Sequence, residues 1–150
     1  MSKVFTSVLK QRLTKRIMEC VDEEQAGFRK EFSTEDHIQT VNQIIEKANV
    51  YNSLYLCFFG FRKAFDGIKR SGIFKALRLI GIEDKYIKII TELYKEMTAF
   101  IMTEKRGQSF DVERGVRQGD PLSPILFVLA LEMVFWRLEW EEVGIKINGQ

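Results

Sequence analysis

Three clusters of residues have the types and spacing to do chemistry. The run Leu54-Tyr-Leu-Cys-Phe-Phe-Gly60 is apolar without alternation and passes into Phe61-Arg-Lys-Ala-Phe-Asp66. An apolar run ending in a mixed segment is the pattern of a buried strand that delivers a side chain to a site at its C-terminal end. The residue delivered is Gly60, which has no ligand atom to offer. The second cluster is Gly115-Val-Arg-Gln-Gly-Asp-Pro-Leu-Ser-Pro-Ile-Leu-Phe127. Gly119 lets backbone approach a ligand closely, and Gln118 can both donate and accept hydrogen bonds on a base or sugar edge. Ser123-Pro124 caps a helix beneath that loop, since Pro suits the first helical position. A turn and a helix start require only Gly, Ser and Pro, which leaves Arg117 and Gln118 unexplained by folding alone. The third cluster is Glu24-Gln-Ala-Gly-Phe-Arg29, followed by Ser33, Thr34 and His37. His37 is the only histidine. With no Ser, Cys or second His partner it builds neither a triad nor a zinc site, and it reads as a helix-surface residue.

The elements that must position these clusters follow from periodicity. Val4, Phe5, Val8, Leu9, Leu13, Ile17 and Met18 recur at helical spacing over residues 3–20, with Lys and Arg between them, which predicts an amphipathic helix with a basic outer face. Ser33-Thr34-Glu35-Asp36 supplies a capping hydroxyl and first-turn acids for a second helix through Ile38, Val41, Ile44, Ile45 and Ala48. Residues 53–60 are predicted to be a strand covered on both faces. Residues 71–80 and 84–97 read as helices, with Gly81 ending the first. Phe100–Thr103 and Phe110–Val112 flank Glu104–Gln108 as a hairpin. The most apolar helix runs from Ser123 to about Glu142, and Gly144–Gly149 begins another strand or hairpin. Helices dominate, with a small antiparallel sheet, so the fold class is α+β.

Composition bounds the function. A chain of 150 residues with 45% hydrophobic content buries a sizeable core, and no linker or repeat divides it, so residues 1–150 read as one domain. The net charge is only +2, but it is unevenly spread. Residues 61–114 hold twelve basic and eight acidic side chains, whereas residues 31–60 are acidic. Such adjacency fits a nucleic-acid groove and also an ordinary solvated surface. Tyr55, Tyr86, Tyr94, Phe100 and Phe110 interleave with Lys85, Lys88, Lys95, Lys105 and Arg106, a pattern open to base stacking or to plain core packing. Cys20 and Cys57 lack CxxC spacing and read as a reduced, intracellular pair without disulfide or zinc. The apolar stretch Pro121–Leu131 is too short to span a bilayer, so no membrane partner is expected.

Together the three clusters resemble, in order, the motifs of reverse transcriptases from non-LTR (LINE-like, RTE-type) retrotransposons. The resemblance runs from about Lys3 to Gln150. It includes Lys63-Ala-Phe-Asp66, the Arg117-Gln-Gly-x-Pro-Leu-Ser-Pro124 run and Gln25-x-Gly-Phe-Arg29. It implies the fingers and part of the palm of a right-hand polymerase, acting on an RNA template with a DNA primer, or on their hybrid. It implies that Arg29 faces a triphosphate, where a guanidinium fork suits phosphate oxygens, and that Phe65 stacks under the incoming sugar. Core packing is the other reading of Phe65. Arg117, Gln118 and Gly119 complete the implied nucleotide and template contacts.

Nucleotide transfer in that family uses Mg2+, bound by carboxylates from strand ends. Here Gly60 stands in the place of the first metal-binding Asp. Asp66 matches the motif's second Asp, which is not a ligand in the family, and is read as a cap for a helix starting near Ile68. The resemblance also implies that the Asp-Asp hairpin and thumb lie beyond Gln150. The expectations are therefore no intact catalytic residue, no tight Mg2+ site, no catalysis by this chain alone, and self-association through exposed palm surface. Three other readings remain: a polymerase completed by a second chain, a non-catalytic nucleic-acid-binding module, and a protein-interaction scaffold.

Overall fold

Six helices and one hairpin follow one another in the computed structural model, which describes residues 2–51 and 55–138. They are α1 (Ser2–Met18), α2 (Thr34–Tyr51), α3 (Ala64–Gly67), α4 (Arg70–Leu79), α5 (Asp84–Lys95), β1 (Thr98–Met102), β2 (Arg106–Asp111) and α6 (Ser123–Phe135). The fold is α+β, mostly helical with a two-stranded antiparallel sheet. The expected strand or hairpin at 144–149 lies outside the described residues.

Helix α6 is apolar on nearly all sides because it is surrounded. Ile125, Leu126, Val128, Leu129 and Ala130 are buried along it, α4 and α1 pack against it, and α5 packs on α4. From α1 the core takes Leu9, Leu13 and Ile17, with buried Thr6 on the same stripe, at spacings of three and four. Val4, Phe5 and Val8 lie off that stripe and are exposed, so the buried face of α1 is narrower than its apolar content. Burial of each full Leu or Ile side chain contributes about 1.5–3 kcal/mol, and this cluster supplies most of the driving force.

Helix ends are closed by short-range chemistry. Ser33 and Asp36 form a reciprocal box at the start of α2: the Asp36 amide donates to Ser33 Oγ at 3.3 Å, and Ser33 donates its amide and hydroxyl to Asp36 Oδ2, each at 2.8 Å. The side-chain bond from Ser33, then its backbone bond, hold the Asp36 carboxyl below the usual carboxylate range. Helix α4 ends in a paired motif, with the Gly81 amide donating to Arg78 O and the Ile82 amide to Leu77 O. Arg16 of α1 adds a bond from Nε to Ile80 O at 2.7 Å, joining the two helices. Two expected caps are different in the structure. At α6 the Asp120 carboxylate accepts from the Leu122 amide at 2.9 Å, while the Ser123 hydroxyl donates to Arg117 O at 2.6 Å. Asp66 caps nothing: it sits inside α3, and the residue before α4 is Lys69 with no side-chain cap bond.

Residues 55–60 are not a strand and are not covered. They have no regular structure, and Tyr55 and Phe58 are 94% and 80% exposed. A strand needs neighbours for its amides and carbonyls. Among the described residues the only sheet is the β1–β2 hairpin, which pairs Thr98 with Asp111, Ala99 with Phe110 and Phe100 with Ser109 and offers nothing to residues 55–60. Helix α6 ends at Phe135 rather than near Glu142, with tight turns from Arg137 to Val134 O and Leu138 to Phe135 O; residues 139–142 lie outside the described residues. No described helix is long and apolar enough to cross a membrane. Both cysteines are free, Cys57 exposed and Cys20 half-buried.

No described side chain of α2 is buried, and Ile38 on it is exposed. Leu126→Ala should therefore lower unfolding stability by about 2–5 kcal/mol, whereas Ile38→Ala should change it by less than about 0.5 kcal/mol. Urea unfolding of both variants checks this, and equal losses would mean that α2 is packed.

Candidate nucleotide site

Two loops meet at the centre of the site. The first leads through Lys63, in the left-handed region at φ 51, into the single turn of α3 that carries Phe65 and Asp66. The second leaves β2 and runs through Gly115 to Gly119. The Gly115 amide donates to Ile68 O at 2.9 Å and the Val116 amide to Phe65 O at 3.0 Å, so the loops are clasped backbone to backbone. The clasp demands glycine: Gly115 has φ 85, and a Cβ there would lie 2.9 Å from Asp66 Cα and Phe65 O. Above the clasp, Gln118 donates from Nε2 to Asp66 Oδ1 at 2.8 Å, both side chains being exposed. Gly119 has φ 76, and the space where its Cβ would stand is open, as close approach by a ligand requires.

Arg70 at the start of α4 braces the clasp from below. Its guanidinium donates to Gly115 O at 3.2 Å, to Tyr94 O at 2.9 Å, to Arg114 O at 3.4 Å and to Val112 O, and it contacts Met97 Sδ. It also lies over the Tyr94 ring at 5.6 Å. Burial lowers its pKa, yet a guanidinium stays charged, so these are charge-assisted bonds. The buried Tyr94 hydroxyl lies 3.3 Å from Ser123 Oγ, and burial raises its pKa. Since Ser123 Oγ donates to Arg117 O, the Tyr94 hydroxyl is the donor to Ser123. The sequence assigns Arg70 no role and leaves Tyr94 open to base stacking or core packing. An arginine at a helix start and a tyrosine at helical spacing have no distinctive signal until the carbonyls around them are placed.

An aromatic group joins the three motifs. Phe65 stacks on Phe127 of α6, with ring centroids 4.4 Å apart and planes at 17°, and meets Phe28 edge-on at 5.9 Å. Phe65 is half-buried, so packing occupies one of its faces. Arg29, next to Phe28, turns back on its own loop: Nη1 donates to Asp22 O at 3.0 Å and Glu23 O at 3.3 Å, and the guanidinium lies over Phe32. The Arg117 side chain has no hydrogen bond or ion pair among the described residues, which leaves its charge available beside Gln118. The basic-aromatic interleaving divides. Tyr94 is core, whereas Tyr55 is exposed, Lys85 lies over Tyr86 and Arg106 lies over Phe100 at 4.1 Å. His37 is on the surface of α2.

Gly60 is exposed, with nothing within 4 Å of where a Cβ would be. Magnesium needs hard oxygen donors. Gly60 supplies no side-chain oxygen, Asp66 Oδ1 is taken by Gln118, and no group of three His, Cys, Asp or Glu among the described residues is placed to hold an ion. The described donor set does not fit a pair of magnesium ions.

A family model described as reverse transcriptase (RNA-dependent DNA polymerase) matches residues 1–147. Among curated proteins, the chain is 34% identical over 106 residues to a retrovirus-related Pol polyprotein from type-1 retrotransposable element R2 of Popillia japonica, covering 68% of this chain and 16% of that protein. It is 30% identical over 132 residues to the corresponding R2 polyprotein of Nasonia vitripennis, covering 87% and 13%. It is 28% identical over 130 residues to the polyprotein of type-2 element R2DM of Drosophila melanogaster, covering 85% and 12%. The chain thus spans less than a fifth of the length of these relatives.

If Arg70 braces the clasp, Arg70→Met should cost about 2–4 kcal/mol and speed amide exchange at Gly115 and Val116. Exchange at those amides unchanged from wild type would show that the clasp stands without it.

Proposed function

The chain belongs to the reverse transcriptase (RNA-dependent DNA polymerase) family, and on that premise we propose that it is the fingers and part of the palm of a non-LTR retrotransposon enzyme that binds template and primer without catalysing synthesis by itself. Binding is assigned to Arg29, Phe65, Arg117, Gln118 and Gly119. The observation that carries this reading is the contact between Gln118 and Asp66. It puts the polar edge of the second motif on the corner that follows Gly60, over the open space at Gly119 and next to Arg117, whose charge has no partner among the described residues. The corner has donors and cations for a nucleotide, but Gly60 contributes no carboxylate. Metal-ligand placement supplies most of the rate in such transfers, so its loss costs many orders of magnitude.

Arg29 fits the reading through exchange. Its bonds are to two loop carbonyls on a half-exposed side chain, and a triphosphate would offer stronger, charged acceptors. Arg62 and Lys63 add positive charge beside an apolar pocket of about 270 Å3 that Phe127 and Val134 also line. We extend the reading to one domain over residues 1–150, to an intracellular setting that keeps Cys20 and Cys57 reduced, and to the RTE-type subclass read from the motifs. The relatives named above are R2 elements.

Exposed Phe58, Phe59 and Phe61 support self-association through the palm surface. The same segment supports a second reading, in which another chain supplies strands and carboxylates, because residues 55–60 have no strand neighbour among the described residues.

Primer extension with Mg2+, a template–primer and deoxynucleotides should yield no product above a no-protein control, and Gly60→Asp alone should not restore it. A titration of RNA–DNA hybrid on the same sample should show binding that weakens with salt and falls about tenfold or more in Arg117→Ala or Gln118→Ala. Product formation by the unaltered chain, abolished by Gln118→Ala, would overturn the inactive reading. Salt-insensitive or absent hybrid binding would overturn the binding role. Sedimentation should show concentration-dependent oligomers that shift toward monomer in Phe58→Ser/Phe59→Ser, and a strict monomer would exclude self-association.

A further inference from the structure

An acidic pocket lies between α6 and the loop at residues 22–25, beside Arg29, whose guanidinium donates to the Asp22 carbonyl. Glu132 is 1% exposed, and its Oε1 has no hydrogen-bond partner among the described residues. It lines a pocket of about 450 Å3 together with Asp22, Glu24, Gln25, Leu131 and Phe135. None of these residues is basic. A buried carboxylate oxygen without a donor carries a large desolvation cost, and sites that retain one generally serve a ligand or a proton. Here the proton is the resting solution. Burial first, the nearby Asp22 carboxylate second and a side-chain bond with Asp22 third push the Glu132 carboxyl up to about 7, opposed by bonds from the Asp22 amide and the Trp136 side chain; an entering cation takes the place of the proton in that Glu132–Asp22 pair.

We propose that this pocket binds an alkylammonium cation, with the ammonium set among Glu132, Asp22 and Glu24 and its methylene chain along Leu131 and Phe135. The chemistry of the lining selects that class. A bare metal ion would need several oxygens converging at short range, and no three carboxylates among the described residues are so placed. An ammonium carries its own three donors and tolerates a looser shell. It supplies the hydrogen bond that Oε1 lacks, and the apolar wall removes its chain from water. The ligand is a polyamine or the lysine side chain of a partner protein, and both present the same group.

Binding is linked to a proton. The cation favours ionised Glu132, so occupancy releases the proton that the empty pocket holds near neutral pH. Affinity therefore rises with pH, by about tenfold between pH 6 and pH 8 for a group that titrates near 7 when the pocket is empty.

Isothermal titration of the full chain with pentane-1,5-diamine, and separately with Nα-acetyl-lysine N-methylamide, tests the assignment in two buffers of different ionisation heat. Saturable binding at pH 8 is expected, with proton release, about tenfold weaker binding at pH 6, and a loss of at least about tenfold in Glu132→Gln. Asp22→Asn should weaken binding as well, while Glu46→Gln, on exposed α2, should leave it unchanged. Circular dichroism checks that each variant is folded, and Asp22→Asn carries the test if Glu132→Gln is not. Tighter binding of the lysine derivative identifies a protein partner, and tighter binding of the diamine identifies a polyamine. Absence of saturable binding, equal binding by the carboxamide variants, or displacement of the amine by equimolar Mg2+ would each overturn the proposal.

Discussion

One half-buried guanidinium organises the site. Arg70 gathers carbonyls from Tyr94 at the end of α5 and from Val112, Arg114 and Gly115 in the loop behind the hairpin. These carbonyls come from segments that share no secondary structure, and a charged fork is one of the few groups able to satisfy them together. With the loop held against α4, the Gly115 and Val116 amides meet the carbonyls of Ile68 and Phe65. The position of Gln118 against Asp66 is the outcome of that arrangement. The apolar core built by α6, α4 and α1 supplies the rigidity against which Arg70 acts.

The site that results joins three distant stretches of chain around one aromatic contact, that of Phe28, Phe65 and Phe127, and Arg117 and Gln118 stand exposed or half-exposed beside it. This is a surface suited to planar bases and charged phosphates. At its edge, where nucleotide transfer would need a hard anionic ligand, Gly60 presents only backbone. Recognition and catalysis make different demands. Recognition tolerates a distributed set of donors, whereas metal chemistry depends on oxygens fixed in the first coordination sphere.

Much of the helical frame was legible along the chain because its causes are local. The Ser33–Asp36 box and the paired bonds closing α4 at Gly81 each depend on residues within one turn, and the helices at 70–79 and 84–95 carry clear apolar periodicity. The hairpin was legible from its turn-rich centre. Residues 55–60 misled for a physical reason. Their apolar run states that they prefer burial, but a strand exists only when another strand satisfies its backbone, and sequence periodicity does not name the partner. The cap at α6 misled similarly, since Ser123 and Asp120 both carry acceptors. The closer geometry of Asp120 to the Leu122 amide freed Ser123 for Arg117 O and Tyr94.

The sequence by itself determined the family, the helical character and the missing ligand at Gly60, because each is a property of residue identity and order. Tertiary structure alone decided what the polar residues do. Asp66 became the acceptor of Gln118 instead of a cap, Arg29 turned to its own loop carbonyls, and Arg70 became the brace. Glu132 was left with an unpaired oxygen facing Asp22. A side chain's partner depends on which backbone atoms folding brings within hydrogen-bond range, and in the bond between Gln118 and Asp66 those atoms belong to residues more than fifty positions apart.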